Sequence, residues 1–114
     1  MGWGKSRSKY GNKITTYNGV KYHSKLEAKH AAELDVLLKA KKIKGWTRQV
    51  RVPLNCYSVT VCVYIVDFVV THKNFIEYIE TKGVWTPVAK LKYKIFEAQM
   101  KAQQPDAILT VRYK

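Results

Sequence analysis

Only 8 Asp and Glu stand against 21 Lys and Arg among the 114 residues of this chain, so the position of each acid is informative. Asp67 lies inside the apolar run Val63-Tyr64-Ile65-Val66-Asp67-Phe68-Val69-Val70. A carboxylate in such a place normally binds a cation, pairs with a base or caps a turn, because an unpaired buried charge is costly. The turn Thr71-His72-Lys73-Asn74 separates this run from Phe75-Ile76-Glu77-Tyr78-Ile79-Glu80-Thr81-Lys82. Strand alternation sets Tyr78, Glu80 and Lys82 on one face, with Thr81 opposite and bearing on packing. Paired strands lie about 4.8 Å apart, which predicts that Asp67 and Glu80 reach one cation with Lys82 beside it.

Two carboxylate donors suit Mg2+, with Mn2+ as its substitute. A hard divalent ion held this way keeps positions for water and phosphate oxygens, as phosphodiester hydrolysis requires. Lys82 would then orient the attacking water or stabilise charge in the transition state, and the sequence leaves both roles open. Alone, a Glu-x-Lys in a strand is a common surface ion pair. An aspartate, a hairpin-length turn and a Glu-x-Lys within a chain of net charge +13 form a more specific combination.

These residues need elements to position them. Residues 1–13 hold four basic and no acidic side chains among Gly, Ser and Asn, and are expected to form a basic flexible arm. Residues 14–114 are expected to form a single domain, since two cores of half that size would each be marginal. Tyr17-Asn18-Gly19-Val20 predicts a hairpin turn, because Asn-Gly accepts positive φ. Ser24 can cap a helix running to about Lys42, with Leu26, His30, Leu34, Leu37 and Leu38 at helical spacing and Gly45 as its stop. Thr47 to Pro53, Tyr57 to Val70 and Phe75 to Lys82 predict three strands. Thr86-Pro87 opens a second helix reaching about Gln103, and Ala107 to Tyr113 predicts a last strand. The expected class is α/β (α+β), with the second helix crossing over to a parallel final strand. Cys56 and Cys62 show no zinc-site spacing and are expected to be buried thiols, while His23, His30 and His72 are scattered.

Asp67 and Glu80-Thr81-Lys82 resemble the motif of the PD-(D/E)XK, or restriction-endonuclease-like, superfamily. Residues Tyr17 to Ala28, Gln49, Tyr64-x-x-Asp67-Phe68 and Glu80-Thr81-Lys82-Gly83 look like a family of short phage-encoded endonucleases within it. The resemblance implies an α-β-β-β-α-β core with a mixed central sheet flanked by helices, magnesium dependence, and Asp67, Glu80 and Lys82 as catalytic positions. It relates the chain to Holliday-junction resolvases and to branched-DNA or mismatch endonucleases, commonly homodimers. It also implies work in the cytoplasm of a bacterial host. Val66 stands where the motif has proline, and Thr81 where an aliphatic residue is commoner.

Glu27 has two readings. Ser24-Lys25-Leu26-Glu27 is a capping box in which Glu27 bonds back to the helix start. Glu27 also shares a face with Ala31, Leu34 and Leu38, and the resemblance places a helix-borne glutamate at the metal site as a third ligand. Gln49 matches a glutamine of the family pattern and could touch metal-bound water or DNA, or simply face solvent.

Polyanions are the partners that a charge of +13 attracts, and DNA is the expected one. Lys90, Lys94 and Lys101 recur along the second helix in a stripe able to follow a phosphate backbone. Lys42, Lys44, Arg48 and Arg51, with Lys39, Lys41 and Trp46, form a second candidate DNA surface. No run of about 18 apolar residues and no signal-peptide pattern occurs, so the expectation is a soluble intracellular protein without membrane partners. The competing class is a non-catalytic, double-stranded-RNA-binding-domain-like module, whose helix, three strands and helix share the element order. It accounts for the charge but not for Asp67 and Glu80, which would repel phosphate. A phage structural or assembly protein accounts for neither.

Overall fold

The computed structural model describes residues 14–113, so the expected arm over residues 1–13 lies outside the described residues. The chain opens with a hairpin of β1 (Thr15–Tyr17) and β2 (Val20–Tyr22), turned by Asn18 and Gly19 at φ of 52° and 78°. These are the left-handed values that an Asn-Gly turn of this kind requires.

Helix α1 (Lys25–Lys39) starts where Ser24 Oγ accepts from the Glu27 amide at 3.1 Å. It ends three residues before the expected Lys42. Lys41 takes a φ of 60°, and the Lys41 and Lys42 amides donate back to Leu38 and Leu37. A left-handed residue at the helix end is thus the stop, supplied by lysine, while Gly45 opens the next strand. Ala28, Ala31 and Leu34 are buried, whereas Leu37 and Leu38 remain more than a third exposed, so the predicted stripe packs only along the first half of the helix.

The main sheet has the order β3-β4-β5-β6, from β3 (Gly45–Cys56), β4 (Val59–Thr71), β5 (Ile76–Lys82) and β6 (Ile108–Tyr113). β4 runs antiparallel to both β3 and β5, and α2 (Pro87–Gln103) crosses over to set β6 parallel to β5. Thr86 caps α2 by accepting from the Ala89 amide at 3.1 Å, with Pro87 in the first turn. The result is the expected α+β arrangement, a mixed sheet with two helices in the order α-β-β-β-α-β. The parallel β6 distinguishes it from a helix, three strands and a helix alone. Where the sequence predicts a loop between Pro53 and Tyr57, β3 and β4 continue to a tight turn at Tyr57 and Ser58, both at positive φ.

Two cores lie on the two faces of the sheet. Tyr22, Ala28, Ala31, Leu34, Phe68, Val70 and Ile79 pack with α1, and Leu54, Tyr64, Val66, Phe96 and Met100 pack with α2. Residues two apart in a strand share a face, yet Val66 and Phe68 belong to opposite cores. The paired strand does the same, with Trp46 on the α1 core and Val52 and Leu54 in the other. The change of side falls at Gln49, whose φ is 53°, opposite Asp67; register pairing runs through Arg48 with Phe68 and resumes at Val50 with Val66. Cys56 is exposed near the hairpin tip and Cys62 is partly buried, so neither is the fully buried thiol expected. They lie where the β3–β4 hairpin runs past the end of β5.

Candidate active site

Pairing of β4 with β5 runs from Thr71–Ile76 to Phe68–Ile79 and stops there. One residue further on, where the backbones part, stand Asp67 and Glu80. The expected facing of these two carboxylates across paired strands is therefore replaced by a fork, and side chains fill it. Asp67 Oδ2 accepts from the Thr81 amide at 2.8 Å and from Thr81 Oγ1 at 2.7 Å. Thr81, expected only to aid packing, thus anchors Asp67 to β5 with two hydrogen bonds.

Glu80 points to the α2 face with 5% of its surface exposed. The Tyr64 hydroxyl donates a hydrogen bond to Oε1, and Lys82 Nζ lies 3.1 Å from Oε2. The Lys82 ammonium also sits 4.9 Å from the centre of the Trp85 ring, a position favoured by the ring's negative face. Burial first, and then the charge of Asp67, push the Glu80 carboxyl up to about 7, against the opposing pull of Tyr64 and Lys82. Burial and the adjoining Glu80 raise the Tyr64 hydroxyl above its ordinary value.

Glu27 comes from α1 to the same place. Its Oε1 accepts from the His23 amide at 3.0 Å, and Gln49 Nε2 donates to its Oε2 at 3.4 Å. One oxygen therefore closes the helix start, as the capping-box reading expects, while the other faces β3. Burial and then Asp67 raise its carboxyl above the usual range, offset in part by His23 and Arg48.

Glu27, Asp67, Glu80, Thr81, Lys82 and Gly83 line one cavity of about 150 Å³, together with His23, Ser24 and Leu26. All four sequence-predicted catalytic residues meet there, and Gln49 stands against one of them. Among the described residues, no group of three or more His, Cys, Asp or Glu side chains is arranged to hold a metal ion. Oxygens of Glu27 and Glu80 already have partners, and Asp67 accepts through Oδ2 alone. Mg2+ keeps much of its water and takes one or two carboxylates rather than a closed cage.

The basic residues separate into groups. Arg48 lies with its guanidinium 4.5 Å from the Tyr22 ring centre, packed rather than extended. Lys42 and Lys44 are exposed beyond the far end of α1; at 1.5 Å per residue, Glu27 to Lys39 already spans roughly 18 Å. Lys90, Lys94 and Lys101 are exposed on α2, and Arg51 is exposed on β3. Sequence reasoning assigned no part to the Tyr64 hydroxyl, although Tyr64 belongs to the motif Tyr64-x-x-Asp67. The Thr81 hydroxyl and Trp85 carried no sequence signal.

Fold and cavity define an α+β protein with carboxylates and one lysine gathered where a mixed sheet forks. Residues 7–114 match the family described as "Protein of unknown function (DUF1064)", and the chain belongs to that family. Searches of curated proteins and of solved structures each gave no match. No helix among the described residues is long and apolar enough to cross a membrane.

Proposed function

We propose that the protein is a magnesium-dependent endodeoxyribonuclease that hydrolyses DNA phosphodiester bonds. The observation that carries this reading is the convergence of Asp67, Glu80, Lys82 and Glu27 on one small cavity from three elements. Support comes also from the raised Glu80 carboxyl: a buried acid paired with one lysine and pressed by a second acid gains from a nearby cation. Magnesium held by Asp67 and Glu80 would supply Lewis-acid stabilisation of phosphate charge and make an attacking water more acidic.

The chain's own residues do the rest. Thr81 fixes the Asp67 carboxylate and Tyr64 fixes that of Glu80. Lys82, steered by Glu80 and the Trp85 ring, holds a positive charge at the cavity where negative charge develops on the phosphate. Glu27 is the helix-borne carboxylate beside this pair, oriented by Gln49. The charge of +13 attracts the DNA, through phosphates more than base edges. Branched, nicked or junction DNA in recombination or repair is the substrate class consistent with shape recognition, and a homodimer in the host cytoplasm follows from the same resemblance.

The test is cleavage of four-way junction, nicked, mismatched and linear DNA by purified protein with Mg2+ or Mn2+. Glu80→Ala and Lys82→Ala are expected to abolish cleavage and leave binding intact. Unchanged cleavage by both variants would overturn the proposal.

A further inference from the structure

Beside the carboxylate cavity, the β1–β2 hairpin and the start of β3 enclose a second cleft of about 430 Å³, within the roughly 300–1,000 Å³ range of small-molecule sites. Tyr17 and Trp46 supply its aromatic walls, with Tyr22 buried behind them and Val20, Asp35 and Arg48 alongside. Asp35 ties the two walls together. The Tyr17 hydroxyl donates to Oδ2 at 2.7 Å, and Trp46 Nε1 donates to Oδ1 at 3.0 Å. The aromatic walls are thereby braced from α1 rather than left to collapse on each other.

Arg48 adds a feature that packing alone does not explain. Its guanidinium lies over the Tyr22 ring, and its Nε is buried without a hydrogen-bond partner. Leaving a buried donor unpaired is expensive, most of all on a charged group. A shift of the Arg48 side chain toward an acceptor on a ligand would relieve that cost.

We infer that this cleft receives a nucleobase, unstacked or unpaired, while the phosphate of the same stretch of strand lies at the carboxylate cavity. This inference rests on the nucleic-acid reading proposed above. Flat aromatic and guanidinium faces accept any base by stacking, and every base edge offers acceptors to a donor such as Arg48 Nε. The two cavities are neighbours: Arg48 lines the cleft, while Gln49, the next residue, donates to Glu27 of the other cavity. Adjacent Cα atoms are about 3.8 Å apart, so a single strand passing over this step meets both. A small organic cation, the other ligand suited to aromatic walls with a carboxylate, is disfavoured because Arg48 already places a positive charge on the Tyr22 face.

The experiment compares two labelled 12-nucleotide single strands by fluorescence anisotropy with the full-length protein in chelator, one carrying bases and one wholly abasic with the same phosphates. The base-bearing strand is expected to bind about tenfold tighter, the usual weight of one base stacked on an aromatic side chain. Tyr17→Leu, which removes a wall, and Val20→Leu, which narrows the cleft, are expected to shrink that ratio and leave abasic affinity unchanged, with melting temperature as the check on folding. Equal affinity for both strands in the wild type, or a ratio unmoved in both variants, overturns the inference. Base discrimination by a protein that cleaves no DNA overturns the nuclease reading and upholds the cleft. Cleavage without discrimination does the reverse, and failure to bind either strand by a protein that also cleaves no DNA overturns both.

Discussion

Replacing Glu80 by glutamine separates the electrostatics of the cavity from its architecture. In the folded, metal-free chain this carboxyl titrates at about 7 instead of 4.5, burial being the largest cause and Asp67 the next. Between these two values the folded state holds a proton that the unfolded state has released. Stability therefore falls as pH rises from about 4.5 to 7, and is level above that. At about 1.4 kcal/mol per pH unit the loss amounts to roughly 3 kcal/mol, as an order of magnitude. Glu80→Gln keeps the shape and cannot ionise, so in chelator at pH 8 it is expected to be more stable than the wild type by an amount approaching this figure. For a domain of this size that corresponds to a rise of about 10 °C or more in melting temperature. Near pH 4.5 the two proteins are expected to melt together. Added Mg2+ is expected to stabilise the wild type at pH 8, where the charged carboxylate gains a counter-ion, and to leave Glu80→Gln little changed. The assay is thermal unfolding from pH 4.5 to 8, with chelator or with Mg2+. A variant that melts below the wild type at pH 8 in chelator would refute the burial argument. Equal stabilisation of both proteins by Mg2+ would refute a metal-binding role for Glu80.

Two further perturbations address the supporting structure. Thr81→Val removes the hydroxyl that bonds Asp67 and keeps the amide bond and side-chain size; a loss of about 1 kcal/mol in stability is expected together with reduced DNA cleavage, and Thr81→Ser is expected to restore both, as measured by melting temperature and a nicking assay. At the β3–β4 tip, Tyr57 and Ser58 hold φ of 50° and 76° without glycine. Replacing them by Asn-Gly is expected to raise stability by about 1 kcal/mol, and a lower melting temperature would show that Tyr57 makes stabilising contacts in the turn.

Much of the fold was legible because its signals are local. Asn18-Gly19 demanded positive φ, Ser24 and Thr86-Pro87 marked helix starts, and α2 follows its predicted bounds. The end of α1 was not, because a lysine at positive φ made the stop and no local preference announces that. Leu37 and Leu38 kept the helical period, but the buried part of the helix ends at Leu34 and they stay exposed.

The candidate site divides along the same line. Scarcity of acids singled out Asp67 and Glu80, and period-two alternation joined Glu80 to Lys82. Chain composition and strand geometry alone determine both. Only the tertiary structure decided that β4 and β5 part at Phe68 and Ile79, that the strands change faces at Gln49 and Asp67, and that Thr81 and Tyr64 hold the two carboxylates. It also set Lys42 and Lys44 a helix length from the cavity while bringing Glu27 and Gln49, 22 positions apart, into contact. Alternation and capping act over a few residues and are written in order along the chain. A fork in a sheet and the hydrogen bonds that fill it arise where distant segments compete for the same backbone partners, and no short window of sequence holds both sides of that competition.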